Sequence, residues 1–388
     1  MGAPTKPMVE SRPRIQKGLD DVYVKESTIC FVDGQRGRLL YRGYDIRDLA
    51  VHSTFEETAF LLLNSHLPNA AELATFRAEL GAARTLPAGL LRVLRTMPKD
   101  APPMDVLRTA VSLMGDFDPE RDDSSQGANL RKALRIMGRI ATVVAAYHRM
   151  REGDRPVSPN PSLGHAEDFL RMVLGRKPDK FRGHIMDVSM VLYADHSMNA
   201  SSFAATVAAS TRTDLYSTIV AAIAALKGPL HGGAIEAALR GVETAGSPEK
   251  ADAYVLTTLR NHQLVYGFGH RVYKTYDPRA LIQKEYARQL AEKSGDDRLF
   301  RTATAIEESV VREIGSKGVY PNVDYYTGLV FHELGLATDL FTPIFSVARS
   351  VGWVAHVLEY WQDNRLVRPL DYYVGPRDAV YVPIDQRP

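Results

Sequence analysis

From Phe55 to Trp361 the apolar residues of this chain recur at helical spacing, segment after segment, with no regular strand-type alternation between the segments. That pattern limits the fold more than any other feature. After Thr54, the residues Phe55, Ala59, Leu62 and Leu63 stand at i, i+4, i+7 and i+8, with Thr54 placed to cap a helix and Glu57 three residues on. Comparable segments cover 71–80, 104–114, 130–150, 166–174, 185–210, 217–226, 234–244, 248–262, 280–290, 298–314, 325–334 and 344–361, divided by short Gly, Pro and Asp punctuation. A doubly wound sheet needs strands between such helices, so the chain reads as all-α. The exception is at the front. Val22, Val24, Ile29 and Phe31, then Leu39, Leu40 and Tyr41, flank Asp33-Gly34 and Gly37 and predict a small N-terminal β-hairpin over 22–44. Glycine- or proline-broken stretches at 227–233 and 338–343 are suited to hinge two helical bodies.

A chain of 388 residues that is 45% hydrophobic can bury a large core. Its 48 Lys and Arg against 46 Asp and Glu leave a charge of +2, too little for a field that gathers nucleic acid or an anionic membrane. Any anion must be met by locally placed charge. Cys30 is the only cysteine, which precludes an intrachain disulfide or a thiolate metal cluster and fits a reducing, cytoplasmic setting. Met1 through Arg14 lacks the apolar stretch of an export signal, and the longest clean apolar run, 219–226, is far below the roughly 20 residues a membrane helix needs.

Chemistry concentrates in a few motifs. In Gly267 to Arg279 (GFGHRVYKTYDPR) a histidine, His270, follows a turn made pliable by Gly267 and Gly269, and Pro278 forces an extended step before the guanidinium of Arg279. His231, in KGPLHGGA, precedes a helix start near Ala234 whose free amides and positive end favour a neutral ring. A neutral imidazole can donate to a carbonyl that is becoming an enolate, although an isolated His-Gly-Gly serves equally well as a helix cap. His196 lies in ADHSMNA, a third loop-to-helix setting.

Asp324 in PNVDYYTG reads on its own as the N-cap of a helix from Tyr325. Burial among those aromatics would instead raise its pKa and make it a stronger base. Arg279, Arg349 and Arg368 stand in or beside apolar stretches, where an unpaired guanidinium is costly. With no matching run of acids nearby, they point to a small polycarboxylate. Metal readings are weak, since neither His356 with Glu359 nor His332-Glu333 has a full ligand set, and no P-loop or GxGxxG occurs.

Taken together, GPLHGG, GFGHRVYKTYDPR, PNVDYYTG and the tail containing Arg349 and NRLVRP resemble citrate synthase of the shorter bacterial and archaeal dimeric type, over about 18 to 382. The resemblance implies a large helical domain of 1–227 and 336–388, a small helical domain of 228–335 closing over a cleft, and a homodimer. It implies that Asp324 removes a proton from acetyl-CoA while His231 donates to the thioester carbonyl, and that His270 donates to the ketone of oxaloacetate. His196, His270, Arg279 and Arg349 would bind oxaloacetate, with Arg368 reaching the neighbouring subunit's site. Gln263, Leu264, Val265, Tyr266 and Gly267 would line the CoA adenine, with Arg271, Lys274 and Lys317 as candidates for its phosphates. CoA is then a co-substrate, and no resident cofactor or metal is implied. Ile235 and Ser197-Met198 depart from the family's frequent Asn and Glu-Leu. A 2-methylcitrate synthase would use the same groups on propionyl-CoA, and a catalytically silent carboxylate sensor would be marked by loss of Asp324, His231 or His270, all of which are present.

Overall fold

A computed structural model describes residues 13–388, so most of the reading made on the first fourteen residues lies outside the described part. Helix accounts for 61% of the structure, in 16 α-helices among the described residues, as the spacing predicts. Thr54 does cap Phe55–Asn64, its hydroxyl accepting from the Glu57 amide at 3.3 Å. No helix is long and apolar enough to cross a membrane among the described residues.

Three expectations need correction. The front sheet has three antiparallel strands rather than a two-stranded hairpin over 22–44: Cys30–Asp33 pairs with Arg38–Tyr41, which pairs with Tyr44–Asp45. Val22, Tyr23 and Val24 form no strand and stand exposed. The single helix expected over 185–210 is two, Lys180–Tyr193 and Ala200–Ser210. Between them the Asp195 carboxylate accepts from the Ser197 amide at 2.9 Å, Ser197 turns to φ 53°, and Asn199 Oδ1 caps the amides of Ser201 and Ser202. Apolar spacing continues in phase across this break and hides it. Finally, Ile46–His52 and Ala88–Leu94 are seven-residue helices, too short for a periodic pattern to declare.

Ser27–Arg365 forms one compact unit, and the described part of Met1–Glu26 with Leu366–Pro388 forms another. In the first, the helix Phe341–Gln362 is buried on every side from Phe341 to Val357, because it runs through the middle of the fold. Around it pack Phe55–Asn64, Gln126–Arg151, Lys180–Tyr193, Ala200–Ser210 and Leu215–Leu226. Val323–Glu333 packs between Pro278–Ser294 and Ala234–Ala245. The stretch 338–343 is a 3-10 turn, Thr338–Leu340, running straight into the central helix, with Pro343 in the first turn where a missing N–H costs nothing. The second unit presents Leu370, Val374, Val380, Tyr381 and Ile384 exposed.

Candidate active site

The loop of Gly267 to Gly269 is stitched to residues 320–322. Gly267 O accepts from the Asn322 amide at 2.9 Å, Gly269 N donates to Tyr320 O at 2.9 Å, and Asn322 Nδ2 donates to Gly269 O at 2.9 Å. Asn322 Oδ1 in turn accepts from the Asp324 amide at 3.0 Å and caps Val323–Glu333. Asn322, and not Asp324, is therefore the cap, which leaves the Asp324 carboxylate available for other work. The same stitching fixes His270 relative to Asp324. Gly267 has φ +85°, and a Cβ there would lie 2.7 Å from Tyr325 Cδ2. Its glycine is required by contact with the helix of Asp324, whatever else the loop meets. Gly267→Ala is expected to lose about 2–5 kcal/mol from left-handed strain plus overpacking; a urea titration that finds the variant as stable as the parent would refute this.

The three histidines are all held neutral. His270 Nδ1 accepts from the amides of Val272 (3.0 Å) and Tyr273 (3.2 Å), so the ring proton sits on Nε2, which is thereby a donor. Burial lowers its pKa to about 4, with Asp277 opposing and Arg279 assisting. His196 is buried, lies 3.2 Å from the Tyr273 hydroxyl through Nε2, and is pushed well below its ordinary pKa by burial and then by Arg279. Its ring meets that of His270 edge-on at 5.0 Å. His231 falls to about 4 through burial and then Arg349. Both act beside the helix that starts at Ala234. His231 Nε2 is 2.9 Å from Ser201 Oγ, which also accepts from Trp353 Nε1 at 3.0 Å.

The guanidiniums are less alike than their sequence settings. Arg279 is buried and doubly bonded to Asp277, at 3.0 Å through Nε and 2.7 Å through Nη2. The matching acid is two residues away, and its other bonds reach the amides of Arg279 and Val323. Arg349 is equally buried but donates through Nε to a carbonyl, Tyr193 O, at 2.7 Å. Burial lowers its pKa, and Asp195 raises it from a distance. Among the described residues no carboxylate forms an ion pair with it. A dry cation of this kind invites an anionic ligand. Arg368 lies in the second unit and is exposed.

Asp324 accepts at Oδ1 from the Tyr193 hydroxyl at 2.8 Å. Its pKa rises to about 6, chiefly through desolvation, against the lowering effects of Tyr193 and Arg279. The Phe345 ring ties the parts together: it meets Tyr193 at 4.6 Å and His231 at 5.9 Å, and Arg349 stacks over it at 4.7 Å. Sequence reasoning misses Tyr193, Tyr273, Asp277 and Ser201, which hold the named residues in place.

Of the residues expected near CoA, Gln263, Leu264, Tyr266, Arg271, Lys274 and Lys317 are exposed, whereas Val265 and Gly267 are buried. Lys274 and Gly318 adjoin, which brings Lys274 and Lys317 to one edge of the loop. Of the residues weighed as metal ligands, His356 Nε2 lies 3.2 Å from Asp195 Oδ2, and Glu359 Oε1 accepts from the Thr28 amide at 2.9 Å. Ile235 is fully buried in the core, and Ser197 belongs to the helix break.

Neutral imidazoles, a desolvated carboxylate and buried guanidiniums are linked here through Tyr193, Tyr273 and Phe345, a set of groups suited to proton transfer from carbon and to support of an oxyanion. Comparison with known proteins gives the class a family. The model for "Citrate synthase, C-terminal domain" matches residues 18–370. A citrate synthase of Deinococcus radiodurans is 45% identical over 373 residues, covering 96% of this chain and 99% of that protein. A citrate/2-methylcitrate synthase of Bacillus subtilis is 40% identical over 370 residues, covering 95% and 99%. The ternary complex of Thermoplasma acidophilum citrate synthase with carboxymethyl coenzyme A and oxaloacetate superposes with a TM-score of 0.92 at 36% identity, covering 96% of this chain and 100% of that one. The chain belongs to the citrate synthase family of acyltransferases.

Proposed function

We propose that this protein condenses acetyl-CoA with oxaloacetate and water to give citrate and CoA, and that Asp324 is the base. The observation that carries the reading is a carboxylate raised to about pKa 6 with one oxygen held by Tyr193, set among neutral histidines and buried arginines. Asp324 takes a proton from the acetyl methyl group while His231 donates to the thioester oxygen, so that an enol forms without a full negative charge. The enol carbon attacks the ketone carbon of oxaloacetate while the enol O–H proton returns to His231, and the alkoxide that forms takes the proton of His270 Nε2. Water then cleaves the thioester of citryl-CoA. His196, Arg279 and Arg349 hold the oxaloacetate carboxylates and carbonyl. Because the ion pair with Asp277 offsets its charge, Arg279 contributes direction, and Arg349 contributes more of the net attraction.

Gln263, Leu264, Val265, Tyr266 and Gly267, with Arg271, Lys274 and Lys317, form the CoA side in this reading. The parts 228–335 and 1–227 with 336–388 act as two domains that close over the substrates and exclude water. Two copies form a dimer in which Arg368 completes the neighbour's site; the exposed apolar side chains of Leu366–Pro388 support a partner there. We place the protein in the cytoplasm on its single cysteine. No step calls for a metal or a redox group, since imidazole donors and a carboxylate supply each proton transfer.

Thiol release from purified protein tests the reading, and no CoA freed from acetyl-CoA or propionyl-CoA with oxaloacetate would overturn it. Propionyl-CoA is the second acyl substrate to assay, because the Bacillus subtilis relative carries both names. One methylene is worth only about 1–3 kcal/mol of discrimination, which the ratio of kcat/KM values will read. The pH dependence is also set by the site. Asp324 must be ionised, so kcat/KM is expected to fall about tenfold per unit between about pH 6 and pH 5, where His231 and His270 are still neutral, and to stay level above pH 6.

A further inference from the structure

We propose that Tyr193 is a positioning residue for the base: its hydroxyl clamps Asp324 Oδ1, leaving Oδ2 as the atom that takes the substrate proton, while its carbonyl anchors Arg349. This rests on the reading of Asp324 as the base. Tyr193 is the last residue of Lys180–Tyr193, just before the break that carries Asp195 and His196. Its hydroxyl donates to Asp324 Oδ1 at 2.8 Å, and its carbonyl accepts from Arg349 Nε at 2.7 Å. One residue thus spans the base and a buried cation expected to face the other substrate. The ring is fixed edge-on against Phe345 at 4.6 Å, so it cannot swing aside without disturbing the surface on which Arg349 stacks.

Among the described residues Asp324 Oδ2 accepts no hydrogen bond. The two oxygens are therefore inequivalent before any substrate arrives, and a base with one oxygen tied cannot rotate out of line. Desolvation keeps the phenol well above its ordinary pKa, so it remains a donor at every pH at which the protein works. The other charged groups facing Asp324 are Arg279 and Asp277 from the start of Pro278–Ser294 and Arg349 from the central helix. Arg279 and Asp277 offset one another, which leaves the Tyr193 hydroxyl as the main local support of the ionised carboxylate. A donor to the charged form lowers a carboxyl pKa, and its loss raises it.

Tyr193→Phe keeps the ring, its contact with Phe345 and the main-chain bond to Arg349. The acid limb of kcat/KM is expected to move up by about one pH unit, with kcat falling about tenfold and KM for oxaloacetate staying within about twofold. Site-specific 3-fluorotyrosine at 193 keeps every contact but donates more strongly, so the limb should move down. A merely structural tyrosine would alter the melting temperature and leave the acid limb in place in both variants, and that result would overturn the proposal, including where the phenylalanine variant fails to fold and only the fluorinated protein is measured. If the native protein frees no CoA at all, the enzymatic reading fails by itself. The clamp is then judged by carbon-13 titration of the Asp324 carboxyl in the native and fluorinated proteins, where equal midpoints overturn it.

Discussion

Asp324→Asn is expected to lose about 10²–10⁴ in turnover while still binding oxaloacetate, and to be more stable than the parent protein above pH 6. Both effects have one cause. The carboxyl is raised from 3.8 to about 6 because the folded protein strips it of more hydration than Tyr193 and Arg279 replace. Below pH 4 the group is protonated in folded and unfolded chains alike, and its contribution to stability is fully present. As the pH rises from 4 to 6 the unfolded chain ionises first, so stability drains away, and above 6 the loss is constant. A shift of this size corresponds to at most about 3 kcal/mol, and the partial accessibility of the side chain places it nearer 1–2 kcal/mol. Asparagine keeps an oxygen for the Tyr193 hydroxyl and carries no charge to desolvate. Melting curves at pH 8 and pH 4 read the difference: a gain at pH 8 that vanishes at pH 4 is expected. Turnover within tenfold of the parent would remove Asp324 from the role of base, and equal melting temperatures at pH 8 would remove the desolvation argument.

The same residue shows what can be read from the sequence. That Asp324 follows Pro-Asn-Val and precedes two tyrosines is a local fact, and it points to a carboxylate in apolar company. That Tyr193 supplies its hydrogen bond is a contact across 131 positions, which no spacing rule reaches. His270 lies in plain sight for the same local reason, but its tautomer does not, because it depends on two amides bending back to Nδ1. Most helices are legible because each must bury one stripe, and the stripe repeats. The break between Tyr193 and Ala200 is not, because the buried Ala194 and Asp195 keep the chain inside the core while the backbone changes direction. The neutrality of His231 is expected from the helix that starts at Ala234, whereas the burial and the nearby Arg349 that also lower its pKa depend on contacts the sequence does not display. Asp277 is within reach of sequence reasoning, two residues from Arg279, yet a search for a run of acids passes over a single one.

His231→Ala should cost about 10²–10³ in kcat with KM for oxaloacetate little changed, since the ring faces the acyl substrate in the proposed mechanism and His196, His270 and the arginines hold the ketone acid. The role requires a donor, and the donor depends on Ser201. The hydroxyl of Ser201 has one proton and two acceptors within reach, Asn199 Oδ1 at 2.7 Å and His231 Nε2 at 2.9 Å. With the proton toward Asn199, His231 donates through Nε2 to Ser201 and its Nδ1 is bare. With the proton toward His231, Nδ1 carries the hydrogen that the thioester oxygen needs. Asn199 Oδ1 can release it, because the amides of Ser201 and Ser202 still donate there at 3.1 Å each. Trp353 Nε1 meanwhile fills an acceptor site on Ser201, so both arrangements leave the serine satisfied on that side. Ser201→Ala is therefore expected to reproduce part of the loss, about tenfold in kcat, and the double variant to fall little below His231→Ala alone. Losses that simply multiply would show that Ser201 acts elsewhere than through His231.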